Sequence, residues 1–72
     1  MDGQPLPAVA DPGEPILKFF SWAHLPAPLQ VVSQPFEALA FGLMHLPRSA
    51  ERTVALRKLL ESKDAAVRAA MP

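Results

Sequence analysis

From Glu51 to Met71 the chain runs without a Gly or Pro, its longest such stretch, and most of these residues are strong helix formers. Arg52, Leu56, Leu59, Lys63, Ala66 and Ala70 follow one another in alternating steps of four and three, the spacing of a heptad seam. Two of those positions hold cations. A cation placed among apolar neighbours needs a partner or loses its charge. Whatever neutralises Arg52 and Lys63 therefore constrains everything that packs on this helix.

The prolines divide the rest. Residues 1–14 hold three prolines, two glycines and three acidic residues, too little apolar surface to fold alone, and read as a flexible arm. Residues 15–72 form the expected domain. Pro15 opens a short aromatic segment through His24, with Glu14 and Pro15 suited to a helix start and Leu25-Pro26-Ala27-Pro28 to its end. Leu29, Val32, Phe36, Leu39, Leu43 and Leu46 then give a helical seam. Pro35 lies inside it and predicts a kink or a restart capped by Ser33. Gly42 costs about 1 kcal/mol of helix propensity against Ala; it is either tolerated or marks close approach by a partner helix. Ser49 is the expected N-cap of the last helix, with Glu51 in its first turn. The short connector around Pro47 makes the two long helices antiparallel neighbours. The expected fold is all-α: a short N-terminal helix plus an antiparallel helical hairpin.

Seventy-two residues form one small domain, and the absence of Cys removes disulfides as a staple. Half the residues are hydrophobic, so self-association into an oligomer is the expected remedy. Seven basic and seven acidic residues cancel, which argues against DNA or RNA polymers as partners but leaves room for a small anion held locally. The amino terminus lacks the pattern of a signal peptide, and the longest apolar run, Ala38 to Met44, is far short of the ~20 residues that span a bilayer. A soluble intracellular protein without membrane contact is the expectation.

Catalysis has little to work with. The chain has no Cys, Tyr or Gly-rich phosphate loop, its serines lack an evident base, and His24 and His45 lack ligand spacing. The reading is a non-enzyme with no cofactor and no metal. Anion binding is better supplied. A cation at Arg52 opposes the helix dipole, a cost that a bound anion relieves, and Thr53 and Arg57 add a hydroxyl and a bidentate fork. Lys63 either contacts an anion or packs its stem on the seam. Trp22 either anchors the aromatic segment or stacks on a base. Intrahelical pairs Arg57–Glu61 and Asp64–Arg68 are the plain alternative for the remaining charges.

The stretch Glu51–Ala69, together with His24-Leu25-Pro26, Leu29-Gln30 and Ser33-Gln34-Pro35-Phe36 upstream, resembles the hairpin-sponge family of small phage proteins. That family comprises anti-CBASS and anti-Thoeris sponges, which sequester host cyclic-nucleotide alarm signals without cleaving them. The resemblance covers roughly residues 16 to 70. It implies a hexamer arranged as a dimer of trimers, with cyclic dinucleotides or glycocyclic ADP-ribose bound between protomers and cyclic trinucleotides on threefold axes. It also implies action in the cytoplasm of the infected bacterial host. Arg52, Thr53 and Arg57 fall where the family's second helix begins and become candidate phosphate contacts; Trp22 falls where a stacking ring is often offered. The alternative is a structural or adaptor hairpin whose seams bind only other helices, with Arg52 and Lys63 paired to carboxylates of a neighbouring chain.

Overall fold

The computed structural model describes residues 14–72; of the arm expected over residues 1–14, all but Glu14 lies outside the described residues. The described secondary structure is helical throughout: a 3-10 helix at Pro15–Phe20, α1 at Ala27–Leu43 and α2 at Ala50–Ala70. The two long helices pack as a hairpin, and the 3-10 helix rests on both. No helix among the described residues is long and apolar enough to cross a membrane.

The first segment is shorter and tighter than the expected helix through His24. It closes by bonds of 3-10 type, Leu17 N–H to Glu14 C=O at 3.1 Å and Ser21 N–H to Lys18 C=O at 3.4 Å. Three residues per turn eclipse side chains three apart, and Glu14, Leu17 and Phe20 are the three buried residues of this segment. They form one row against the hairpin. Phe20 and Leu17 join Ala40 and Leu56 in the core, flanked by half-buried Phe36, Leu43, Leu59 and Leu60.

Two prolines sit inside α1 without breaking it. Pro28 occupies the first turn, where a missing N–H costs nothing. Pro35 removes the helical partner of the Val31 carbonyl, and it does so on the outer side of the helix, where Val31 is 72% exposed. α1 therefore runs on through Pro35, contrary to the expected restart. Ser33 caps nothing; it is fully buried inside the helix.

The α1 seam also differs from the expected one. Leu39 is 54% exposed, and Leu46 lies beyond the helix end at 49%; the fully buried positions are Ser33 and Ala40. Ala40 packs in the core with Phe20 and Leu56. On α2, Arg52 and Leu56 are buried and Leu59, Lys63 and Ala66 half-buried, while Ala70 is exposed at the helix end.

The Ser33 hydroxyl is buried with no hydrogen-bond partner among the described residues. A buried unpaired hydroxyl costs about 1–3 kcal/mol, and alanine is the better helix former. Ser33→Ala is expected to stabilise the fold by about 1 kcal/mol, raising the thermal midpoint by about 4–8 °C for a domain of this size. A calorimetric or circular-dichroism melt reads this directly.

Candidate functional site

The buried charge centre of the described fold lies where the start of α2 meets the end of α1. Ser49, in extended backbone, caps α2 by accepting from the Arg52 N–H at 3.1 Å, and Glu51 sits in the first turn, both as expected. This fixes Arg52 one turn inside the helix, facing the hairpin. Its guanidinium swings away from the α2 N-terminus and toward the carbonyl end of α1. Nη1 donates to the Leu46 carbonyl at 3.2 Å and to the Met44 carbonyl at 3.4 Å. A cation that would oppose the dipole of its own helix thus lies at the favourable end of the neighbouring one.

Nε of Arg52 donates to Oε2 of Glu14 at 3.0 Å, with the two side chains 7% and 2% exposed. Thr53 completes the arrangement: its hydroxyl lies 3.2 Å from Oε2 and 3.3 Å from Oε1 of the same carboxylate. It also lies 3.4 Å from the Ser49 carbonyl. An anion does sit on Arg52 and Thr53, and it is the chain's own Glu14. The Arg52 guanidinium is thus occupied within the described chain, and a phosphate there would have to displace Glu14.

The remaining expected site residues do not gather with it. Arg57 is exposed on α2. Lys63 is largely covered, its side chain 12% exposed, and its Nζ lies 3.4 Å from Oδ1 of the adjacent Asp64. Trp22 is half-buried and donates from Nε1 to Oε1 of Glu37 at 2.7 Å, which pins the linker after Phe20 onto α1. Gln30 holds the same linker from the other end, donating to the carbonyls of Leu25 at 2.8 Å and Ala23 at 3.2 Å. The expected intrahelical pairs are replaced: Glu61 lies 3.7 Å from Lys58, both exposed, and Asp64 faces Lys63.

Four participants were not read from the sequence. Glu14 was placed only as a helix-start carboxylate, because its partner is 38 residues away. The Met44 and Leu46 carbonyls are backbone groups with no sequence signature. Glu37 had a usable signal, since it is the sole ionisable residue in the seventeen of α1. Among the described residues no group of three or more His, Asp or Glu is placed to hold a metal ion. The described residues enclose no pocket within one chain. No protein-family model matches the chain, and neither a curated protein nor a solved structure matches it.

Breaking a buried pair by removing one partner costs about 3–5 kcal/mol, whereas replacing both with apolar residues is often neutral or better. Arg52→Ala is expected to lose about that much, a large share of the stability of so short a chain. The double replacement Glu14→Leu with Arg52→Met should recover most of it, which urea unfolding of the single and double variants measures. A second expectation concerns Trp22, the single tryptophan. Glu37→Ala should red-shift its emission and cost about 1.5–3 kcal/mol, the range for a hydrogen bond to a charged group.

Proposed function

We propose that this chain is a phage sponge. It binds cyclic oligonucleotide immune signals, cyclic di- or trinucleotides or glycocyclic ADP-ribose, between protomers of a symmetric homo-oligomer. It withholds them uncleaved in the cytoplasm of the infected bacterial host. The observation that carries this reading is the Glu51–Ala69 stretch, which resembles the sponge family and here forms one limb of a helical hairpin. The resemblance implies a hexamer.

The geometry bears on how such a site is built. The described residues of one chain enclose no pocket, so on this reading a ligand of this size is walled where chains meet. Arg57, exposed on α2, and Lys63, farther along the helix, are the cations offered to such a junction, and the half-buried Trp22 offers a ring edge. Symmetry multiplies each cation into a ring, which suits a ligand with repeated phosphates and is compatible with a chain of zero net charge. Arg52 and Thr53 meet phosphate only if Glu14 leaves them.

The second reading, an assembling hairpin without a small-molecule ligand, is favoured by one observation. Both seam cations already have carboxylate neighbours in their own chain, Glu14 and Asp64. Calorimetric titration with a panel of cyclic di- and trinucleotides and glycocyclic ADP-ribose separates the two. Under the sponge reading at least one ligand binds and is recovered intact after heat denaturation. Arg57→Ala should weaken binding at least tenfold, about 1.4 kcal/mol, at unchanged oligomer mass. No binding across the panel by a well-folded oligomer rejects the sponge, and recovery of cleaved product makes the chain an enzyme. Under the second reading Lys63→Met leaves assembly as strong or stronger and no ligand binds.

A further inference from the structure

The carboxylate seated on Arg52 does nothing for its own helix. Glu14 stands at the N-cap of the 3-10 helix, yet its side chain makes no capping bond there. It reaches instead to α2, where Oε2 accepts from Arg52 Nε at 3.0 Å and from the Thr53 hydroxyl at 3.2 Å. The seat itself is built without Glu14. Ser49 fixes the first turn of α2, and the Met44 and Leu46 carbonyls hold the guanidinium from its other side. A fixed guanidinium and a hydroxyl aimed at one point suit a phosphate oxyanion as well as a carboxylate. An anion fits there, because one is already seated.

The segment that delivers this carboxylate is thinly attached. From residue 14 to residue 20 only Glu14, Leu17 and Phe20 are buried, one side chain per 3-10 turn. Just beyond it the chain is anchored separately: Trp22 donates to Glu37, and Gln30 to the carbonyls of Ala23 and Leu25. Between the two attachments lies Ser21, exposed and outside any helix. Residues 14–20 can thus lift as one unit about Ser21 while the linker and hairpin stay in place, a local opening rather than global unfolding. Lifting alone is opposed, because it strips the Arg52 charge of its counter-ion. An external anion removes that opposition.

We infer that residues 14–20 are a strap held closed on the start of α2 by the Glu14 carboxylate, and that a phosphate-type oxyanion taking Arg52 and Thr53 releases it. Only the open state offers the seat, so the anion draws the population toward opening. At the donors one anion replaces another. The change falls on the rest of the strap: Leu17 and Phe20 leave the core they share with Ala40 and Leu56. Anion binding at the start of α2 is thereby converted into exposed apolar surface on the hairpin. The inference rests on the reading of Arg52 and Thr53 as phosphate contacts, and neither on which ligand carries the phosphate nor on assembly.

Trypsin reads the strap. Lys18 is the only Lys or Arg ahead of Arg48, and it lies between buried Leu17 and Phe20. A protease needs extended chain, so the Lys18–Phe19 bond is cut only when those neighbours leave their seats. The full-length protein is digested briefly in inorganic phosphate and in chloride at matched ionic strength, and the fragment ending at Lys18 is followed by mass spectrometry. Phosphate should speed this cut about threefold or more, while cuts at Arg57 and Lys58 inside α2, which report global unfolding, do not rise. As an excluded salt phosphate favours the closed fold, so acceleration marks binding. Glu14→Gln should raise the Lys18 cut in chloride alone by about tenfold and bind inorganic phosphate more tightly in calorimetry. The wild-type comparison needs no variant and decides even where Glu14→Gln unfolds. Equal Lys18 cutting in phosphate and chloride, or cutting that rises together with the α2 sites, overturns the strap. A cyclic-nucleotide panel that fails while phosphate still releases Lys18 rejects the sponge and keeps the strap. Ligand binding with Lys18 protected in phosphate rejects the strap and keeps the sponge.

Discussion

The Glu14–Arg52 pair is the interaction on which the described fold depends. Together with Thr53 it ties three elements: the start of the 3-10 helix, the end of α1 and the start of α2. The pair is satisfied on nearly every side. Arg52 gives Nε to the carboxylate and Nη1 to two carbonyls, and Thr53 adds its hydroxyl to the same carboxylate. Removing two charges from water costs several kcal/mol each, and the attraction between them offsets this only with such complete hydrogen bonding. The net gain from having the pair is thus small beside the loss from breaking half of it. That asymmetry sets register: the row of Glu14, Leu17 and Phe20 seats on the hairpin in the one position where Glu14 reaches Arg52.

Local chemistry was legible and distant pairing was not. The Ser49 cap, the α2 helix and the short connector follow from residue types within one turn of each other, and the structure has them where the sequence places them. The inner face of α1 was read in part: Leu29, Val32, Phe36 and Leu43 are half-buried, but a neighbouring seam takes the fully buried places. The expected seam runs through Leu39 and its neighbour through Ser33 and Ala40. Hydrophobicity selects the leucine, whereas in the fold it is Ala40 that packs with Phe20 and Leu56, a long-range contact that propensity cannot see. At Pro35 the sequence allowed a kink or a restart; α1 is continuous there, with Pro35 on its exposed side.

The oddity of two cations in an apolar seam was correctly seen and only half correctly interpreted. It predicts an anion, and an anion is there for Arg52; the sequence gives no means of telling an internal carboxylate from an external phosphate. The same dipole, hydroxyl and guanidinium that would hold a phosphate hold Glu14. A ligand reading therefore cannot rest on the start of α2 alone. It has to recruit other cations of α2, the exposed Arg57 and the largely covered Lys63, which lie on different sides of the helix because they are six residues apart. One chain does not converge them; copies arranged around an axis do.

This makes assembly the step on which the functional readings turn. The core of one chain has four fully buried hydrophobic residues among those described, and one of them is an alanine. So small a core supports little stability, yet α1 holds apolar surface in reserve on the side that α2 does not reach. Covering that side would supply both missing quantities at once, more buried area and a neighbouring chain to set cations across from one another. A sponge and a plain structural oligomer share this requirement. They differ only in whether the cations brought together face each other across water or across carboxylates, and that difference lies in the side chains of α2, not in the fold.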